Sequence, residues 1–256
     1  MKRERSYVDG RRNKILEIMQ QQPEVKVEEL AKMFEISPVT VRRDLQYLED
    51  QKKINRFYGG ASVKDDKEEK MDLTSQYREL IAKYASKFVE DGDTLFINTS
   101  STALHLVKYI DKKNVTAITN NGRAIGIDHG DGLSIILTGG ELRYPKEAMV
   151  GDFAVRNLQT IYAKKSFIGC SGISVETGMT TEIANEVNIN ELMINNTMGE
   201  TYILADHTKI GKNSSFISCS LEKIDNLITD ELVPDEVLEQ FREKNVRVHV
   251  VKLENK

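Results

Sequence analysis

Residues 27–61 read VEELAKMFEISPVTVRRDLQYLEDQKKINRFYGGA, and the rest of the chain is read outward from this run. Leu30, Ala31 and Phe34 fall on one face of a first helix at i, i+1, i+4 spacing. Ser37 offers an N-cap oxygen to a second helix, and Pro38 stands at its first position, where a missing N–H is no loss. Val41, Leu45 and Leu48 give that second helix a buried stripe. Ser37, Val39, Thr40, Arg42, Arg43 and Gln46 remain at its start and on its outer faces. A short helix furnished in this way suits a DNA major groove, where Arg pairs with guanine or phosphate and Gln with adenine. The alternative is an ordinary helical hairpin with a solvated basic face.

Upstream, residues 11–22 predict a helix with Ile15, Leu16, Ile18 and Met19 on a broad apolar face, ended by Pro23. Glu24, Val25 and Lys26 predict a short strand. Residues 53–58 and the segment after Gly59-Gly60 predict a small hairpin, the glycines supplying positive φ. Three helices and a β-wing make a winged helix-turn-helix over residues 1–62. Arg56 on the wing, with Tyr58 beside it, is either a phosphate or minor-groove contact or a solvated turn charge.

The whole chain of 256 residues is 39% hydrophobic and 30% charged, the composition of a soluble globular protein of one large or two ordinary domains. No apolar run approaches the length of a transmembrane helix, and the polar start MKRERSYVDGRR lacks the core of a signal peptide, so no membrane partner is expected. Cys170 and Cys219 stand far apart with no metal-ligand spacing, which predicts reduced thiols in a cytoplasmic protein with neither metal nor cofactor. The net charge of −4 hides an asymmetry: residues 1–64 hold 14 Lys+Arg against 10 Asp+Glu, a net of +4, leaving −8 on the remainder. Only the N-terminal part is expected to meet a polyanion.

Residues 63–75 are charged and without a period, and read as a linker. From 76 to 89 a helix is expected, after which strands (94–97, 115–119, 133–137, 165–168, 201–205, 226–228, 246–250) alternate with helices (102–110, 123–128, 151–159, 183–198, 234–244). That alternation predicts an α/β domain over 76–256 with a mostly parallel sheet, whose ligands collect at the carboxyl ends of the strands. Those ends carry Asn98-Thr99-Ser100-Ser101-Thr102, Asn120-Asn121-Gly122, Gly139-Gly140, Gly169-Cys170-Ser171-Gly172 and Asp206-His207-Thr208-Lys209, with residues 178–182 (GMTTE) opening a helix. Hydroxyls and free N–H groups at a helix start suit an anion, although Ser101 or Thr102 can equally serve as a simple cap. Together the loops suit a phosphorylated, hydroxyl-rich ligand.

The pattern Glu29-Leu30-Ala31, Ser37, Thr40-Val41-Arg42-Arg43-Asp44-Leu45, Leu48-Glu49 and Gly59-Gly60-Ala61 resembles the N-terminal domain of DeoR-type bacterial transcriptional regulators. LTGGELR, FIGCSGI, GMTTE, ADHTKIG and IDNLITD resemble segments of that family's C-terminal sensor domain, so the resemblance spans nearly the whole chain. It implies a ribose-5-phosphate isomerase-like sensor fold and a phosphorylated-sugar effector. It further implies that Ser100, Ser101 and Thr102 hold the phosphate with Lys209 near it. Asn98, Asn120, Asn121, Gly139, Gly140, Thr181 and Asp206 would line the sugar, with Thr99 in the same loop. The chain departs from the family pattern at Tyr58, where His is usual, and at Gln51, near which Gly is usual. It also has Asn98 for an acid and Asn190 for a lysine.

Three functions fit. The first is a transcriptional regulator, a repressor of a sugar operon, acting as a homodimer or tetramer on a double-stranded DNA operator. The second is a sugar-phosphate isomerase-like enzyme carrying a DNA-binding domain, with Asp206, Lys209 and Glu182 as acid and base groups. The third is a DNA-binding structural protein whose second domain only oligomerises.

Overall fold

The computed structural model describes residues 2–22, 24–51, 53–57, 59–63 and 72–253, without the side chains of 2–7, 9, 20, 21, 50, 55–57 and 63. The chain divides into two compact units, residues 1–70 and 71–256.

In the first unit a long helix, α1 (Lys2–Gln21), precedes β1 (Glu24–Lys26), α2 (Val27–Met33), α3 (Pro38–Asp50), β2 (Ile54–Phe57) and β3 (Gly60–Val63). The helix expected to begin at Arg11 starts nine residues earlier, because the polar segment before it carries no apolar period to betray it. The strands form an antiparallel sheet in the order β1-β3-β2, which is the expected wing with β1 added to its edge. Ile15 and Met19 from α1, Leu30 from α2, Val41, Leu45 and Leu48 from α3, and Val25, Ile54 and Ala61 from the sheet close one core.

The tight turn between α2 and α3 is built by backbone hydrogen bonds from Glu35 N to Lys32 O (3.4 Å) and from Ile36 N to Ala31 O (3.0 Å). These satisfy the last carbonyls of α2 in the Schellman pattern. Glu35 occupies the left-handed position with φ +51°, where glycine is the usual residue. Ser37 then caps α3, its Oγ accepting from Thr40 N at 3.2 Å, with Pro38 following as expected.

The second unit begins with α4 (Leu73–Ala85), whose N-cap Asp72 accepts from Ser75 N at 2.9 Å. Residues 73–75, read as linker, therefore belong to this helix, and residues 64–71 of that stretch lie outside the described residues. A seven-stranded sheet follows. Its strands are β4 (Thr94–Ile97), β5 (Val115–Thr119), β6 (Leu133–Leu137), β9 (Ala163–Gly169), β12 (Thr197–Leu204), β14 (Asn226–Asp230) and β15 (Arg247–Val251). All neighbours pair in parallel, in the order β15-β14-β12-β9-β4-β5-β6. All seven expected strands are present.

Alternate strand residues serve two cores. Leu95 and Ile97 pack toward Ile81 and Ala85 of α4 and Ala103 of α5 (Ser101–His105). Phe96, Ile168, Ile203 and Leu227 pack toward α6 (Asp152–Gln159), α7 (Ala184–Asn195) and α8 (Asp235–Glu243). Successive strands move outward from β4 toward β6, and then from β9 toward β15. The connection therefore reverses between β4 and β9, the place where such sheets leave a crevice at their carboxyl ends.

Four expectations are corrected. The helix expected over 183–198 ends at Asn195, because Thr197 opens β12. The helix expected over 102–110 is α-helical only to His105 and finishes as a 3₁₀ turn, Leu106–Tyr109. A 3₁₀ turn, Gly122–Gly126, stands where a helix over 123–128 was expected. GMTT of GMTTE is a strand, β11 (Gly178–Thr181), flanked by β10 (Gly172–Ser174) and β13 (Phe216–Cys219) in a separate antiparallel sheet. A further hairpin joins β7 (Glu141–Arg143) to β8 (Ala148–Val150).

Left-handed backbone costs a non-glycine residue about 1–2 kcal/mol, and glycine's extra freedom in the unfolded chain returns about 0.4–1 kcal/mol of that. Glu35→Gly is therefore expected to stabilise the first unit by roughly 0.5 kcal/mol in urea unfolding. A loss of stability would show that the Glu35 side chain contributes more than its backbone conformation costs.

Candidate functional site

Two places in the molecule collect the candidate residues. On α3, Val39 is 55% exposed, Arg42, Arg43 and Gln46 are exposed, and Thr40 is half-buried. These residues form one outward face beside the capped start of the helix. Ser37 has given its hydroxyl to the cap and to Thr40 Oγ1 at 2.9 Å. Gln46 Nε2 donates to Glu49 Oε2 at 3.3 Å. The Arg56 side chain and Tyr58 lie outside the described residues.

The reverse side of α3 carries a residue that sequence reasoning missed. Asp44, 2% exposed, accepts from Arg11 Nε at 2.7 Å and from Arg12 Nε at 3.0 Å. The Arg12 guanidinium also lies 3.7 Å above the Tyr47 ring. Asp44 falls within the stripe of Val41, Leu45 and Leu48, and an acid in an apolar stripe is the one signal that a buried cation must face it. The carboxylate thus pins α3 to α1 and holds the outward face in register.

The second place is the crevice between β4 and β9, a cavity of about 240 Å³, the scale of a small polar molecule. Asn98, Thr99, Ser100, Ser101, Thr102, Thr181, Asp206 and Lys209 all line it, as do Arg78 from α4, Arg123, Lys146 from the β7–β8 hairpin, and Glu186 from α7. The last four were not anticipated, because each reaches the crevice from an element whose position only the tertiary structure defines.

Asn120, Asn121, Gly139 and Gly140 do not stand on its walls. Asn120 Nδ2 donates to Met149 O at 3.2 Å, and Asn121 Oδ1 accepts from Arg123 N at 3.1 Å. Gly139 and Gly140 both have positive φ, and a Cβ on Gly140 would sit 2.6 Å from Val150 O. Asn120, Asn121 and Gly140 thus brace the β7–β8 hairpin and the turn carrying Arg123.

Asn98 lines the cavity but has no hydrogen-bonding capacity to offer a ligand. Its Nδ2 donates to Gly169 O (2.8 Å) and Asn190 Oδ1 (3.0 Å), and its Oδ1 accepts from Gly169 N (3.0 Å) and Ser100 N (3.2 Å). The carboxamide continues the sheet across the gap where β4 and β9 part. Ser100 caps α5, its Oγ accepting from Ala103 N at 3.4 Å, so the capping role falls to neither Ser101 nor Thr102.

Two buried carboxylates face the cavity, each already compensated. Glu186 accepts from Thr99 Oγ1 (3.0 Å) and Thr181 Oγ1 (2.9 Å), with Lys146 Nζ at 3.4 Å. Asp206 Oδ2 meets Arg78 Nε at 2.7 Å, and its Oδ1 accepts from Thr208 N and Thr208 Oγ1. Burial alone would push the Asp206 carboxyl up, but the hydrogen bonds from Thr208 and Arg78 and the guanidinium charge outweigh it, holding it below the usual carboxylate range. Desolvation pushes the Cys170 thiol up to about 12 against the pull of Lys209, so this lining sulfur is protonated at neutral pH.

Arg78, Arg123, Lys146 and Lys209 face Glu182, Glu186 and Asp206, a lining with one positive charge in excess. Among the described residues no cluster of His, Cys, Asp and Glu could hold a metal ion, and no helix is long and apolar enough to cross a membrane.

Comparison with known proteins matches residues 11–67 to a DeoR-like helix-turn-helix domain and residues 74–231 to a DeoR C terminal sensor domain. The chain is 30% identical to an uncharacterized HTH-type transcriptional regulator, YulB, of Bacillus subtilis, over 96% of this chain and 98% of that one. It is 29% identical to a putative aga operon transcriptional repressor of Escherichia coli O157:H7 (94% and 93% covered). It is 28% identical to the glycerol-3-phosphate regulon repressor of Escherichia coli K12 (94% and 98% covered). Superposition on a ribose 5-phosphate isomerase A from Methanocaldococcus jannaschii gives a TM-score of 0.37 at 16% identity over 52% of each chain, a likeness too distant to argue from.

Removing Asp44 takes the shared carboxylate from two largely buried guanidiniums, and breaking such a pair costs about 3 kcal/mol. Asp44→Ala is expected to lower the stability of the first unit by that amount in urea unfolding of the full chain. A change below about 1 kcal/mol would mean that the pair is solvent-screened and does not pin α3.

Proposed function

The chain belongs to the DeoR family of DNA-binding transcriptional regulators, and on that premise we propose that it represses a sugar-utilisation operon and is released by a phosphorylated sugar bound in the β4–β9 crevice. The observation that carries the effector half is Lys209. It lines the cavity, and its ammonium makes no hydrogen bond or ion pair with any described residue, while both buried carboxylates nearby already have cation partners. A free ammonium lining the same cavity as the hydroxyl side chains at the start of α5 (Ser100, Ser101, Thr102) is chemistry for an oxyanion on a hydroxyl-rich molecule.

The relatives support the same reading, since their names attach them to an aga operon and a glycerol-3-phosphate regulon. Binding suffices for such a switch. Asp206, held below the usual carboxylate range by Arg78 and Thr208, is poorly placed to trade protons near neutral pH, which weighs against the isomerase alternative.

On DNA, the outward face of α3 reads the major groove through Arg42, Arg43, Thr40 and Gln46, with Val39 in apolar contact. A homodimer places two such helices about 34 Å apart, one helical turn of DNA. Release by ligand requires that the ligand bind the DNA-free arrangement more tightly than the DNA-bound one.

Arg42→Ala and Arg43→Ala are each expected to weaken operator binding at least tenfold, about 1.4 kcal/mol, with no change in melting temperature. Gel-shift affinities within threefold of wild type for both would remove α3 from the groove. Lys209→Ala is expected to keep operator affinity and to raise the sugar-phosphate concentration needed for release at least tenfold. Release at the unaltered concentration would place the anion elsewhere.

A further inference from the structure

Helix α4 is the first element of the second unit, the one the chain enters from the DNA-binding unit. Three consecutive residues tie it to the body of the sensor. Tyr77 Oη donates to Glu231 Oε1 at 3.2 Å, Arg78 Nε meets Asp206 Oδ2 at 2.7 Å, and Glu79 accepts from Tyr109 Oη at 2.5 Å and lies 2.5 Å from His105 Nδ1. Of the three, Arg78 alone lines the β4–β9 cavity, so its tie is the one a bound ligand can reach.

The Arg78–Asp206 pair is built to be exchanged. A guanidinium can grip a carboxylate with two parallel N–H groups, yet here the contact is through Nε, and neither terminal nitrogen has a hydrogen-bond partner among the described residues. The side chain is 32% exposed, within reach of anything in the cavity. Asp206 would not be orphaned by Arg78 leaving, because its other oxygen holds the backbone N–H and hydroxyl of Thr208.

We propose that Arg78–Asp206 is a latch read by the effector: an anionic ligand in the cavity takes the Arg78 guanidinium, and the loss of this tie resets α4 and with it the lead into the DNA-binding unit. The inference rests on the effector reading given above. Arg78 is then a coupling residue as well as a ligand contact, and the two roles separate experimentally. A residue that only adds binding energy sets the ligand concentration at which the operator affinity changes. A residue that couples sets how far it changes at saturation.

The experiment measures operator Kd for the full-length protein without ligand and at saturating ribose 5-phosphate, glucose 6-phosphate or fructose 6-phosphate, taking whichever moves wild type most. Wild type should shift at least tenfold. Arg78→Gln, and the double variant Arg78→Gln/Asp206→Asn, which leaves no unpaired buried charge and should fold even where the single variant does not, should shift less than twofold at saturation. A double variant that keeps the full wild-type shift, at a merely higher ligand concentration, makes Arg78 an anchor and overturns the latch while the effector reading stands. A wild type that none of the three sugars moves overturns the effector reading, and the latch falls with it.

Discussion

The sensor unit depends on one gap being bridged. Where β4 and β9 part at their carboxyl ends, two backbones lose their ladder partners beside the cavity, at residues that are themselves buried, and an unpaired buried polar group costs about 1–3 kcal/mol. The Asn98 carboxamide closes the gap as a piece of backbone would, donating to Gly169 O and accepting from Gly169 N. A carboxylate at this position could accept but not donate, and would leave Gly169 O without its partner. The same contact explains the glycine: a Cβ on residue 169 would lie 1.9 Å from Ser100 Oγ, the atom that caps α5. Cap, bridge and close approach form one constraint, and the cavity exists because it is met.

The two residues of this unit noted in the sequence as departures from the pattern it resembles meet at the same bridge. Asn98 and Asn190 stand 92 positions apart and touch, Nδ2 to Oδ1 at 3.0 Å. An acid facing a lysine would be a buried ion pair, favourable only with good geometry and further hydrogen bonds. Two carboxamides form a neutral pair with less desolvation to overcome, and both side chains are 3% exposed or less. The pair adds no charge to the cavity, whose electrostatics rest on Glu182, Glu186 and Asp206 with the four cations around them.

How much of this was legible follows from range. Seven strands were readable because each contains a short apolar run, fully buried in the central strands and half-buried in the edge strands β6 and β15, and the winged helix-turn-helix was readable because cap, proline and apolar stripe all lie within a few residues of one another. Strand β11 was misread because Gly178-Met179-Thr180-Thr181 has no alternation, being buried along its whole length in a small antiparallel sheet. The site residues split in the same way. Those on strand-end loops, such as Ser100, Asp206 and Lys209, could be anticipated from topology alone. Arg78, Lys146 and Glu186 could not, because helix faces and a hairpin tip deliver them, and only the tertiary structure brings those elements to the strand ends. Asn120, Asn121 and Gly140 were expected at the ligand and instead brace the hairpin, since a polar loop beside a crevice can serve the ligand or the loop next to it, and composition does not distinguish the two.

Charge finally explains why the cavity is furnished as it is. Residues 65–256 carry a net of −8, and such a body repels an anionic ligand as it repels DNA. Beyond about 8 Å at physiological salt that repulsion is screened, so what a ligand meets inside the crevice is decided by the few groups lining it. There the balance inverts, with four cationic side chains against three carboxylates. Two of those cations, Arg78 and Lys146, are held by buried acids, and neutralising them outright would leave Arg123 and Lys209 as the only cationic donors on the wall. Holding them by partial contacts, a single Nε for Arg78 and distances of 3.4–3.5 Å for Lys146, satisfies the acids while keeping donors available. On the proposed effector reading, a pocket in an acidic domain thus stays stable when empty and still receives an anion, its resting ion pairs being the contacts a ligand would exchange.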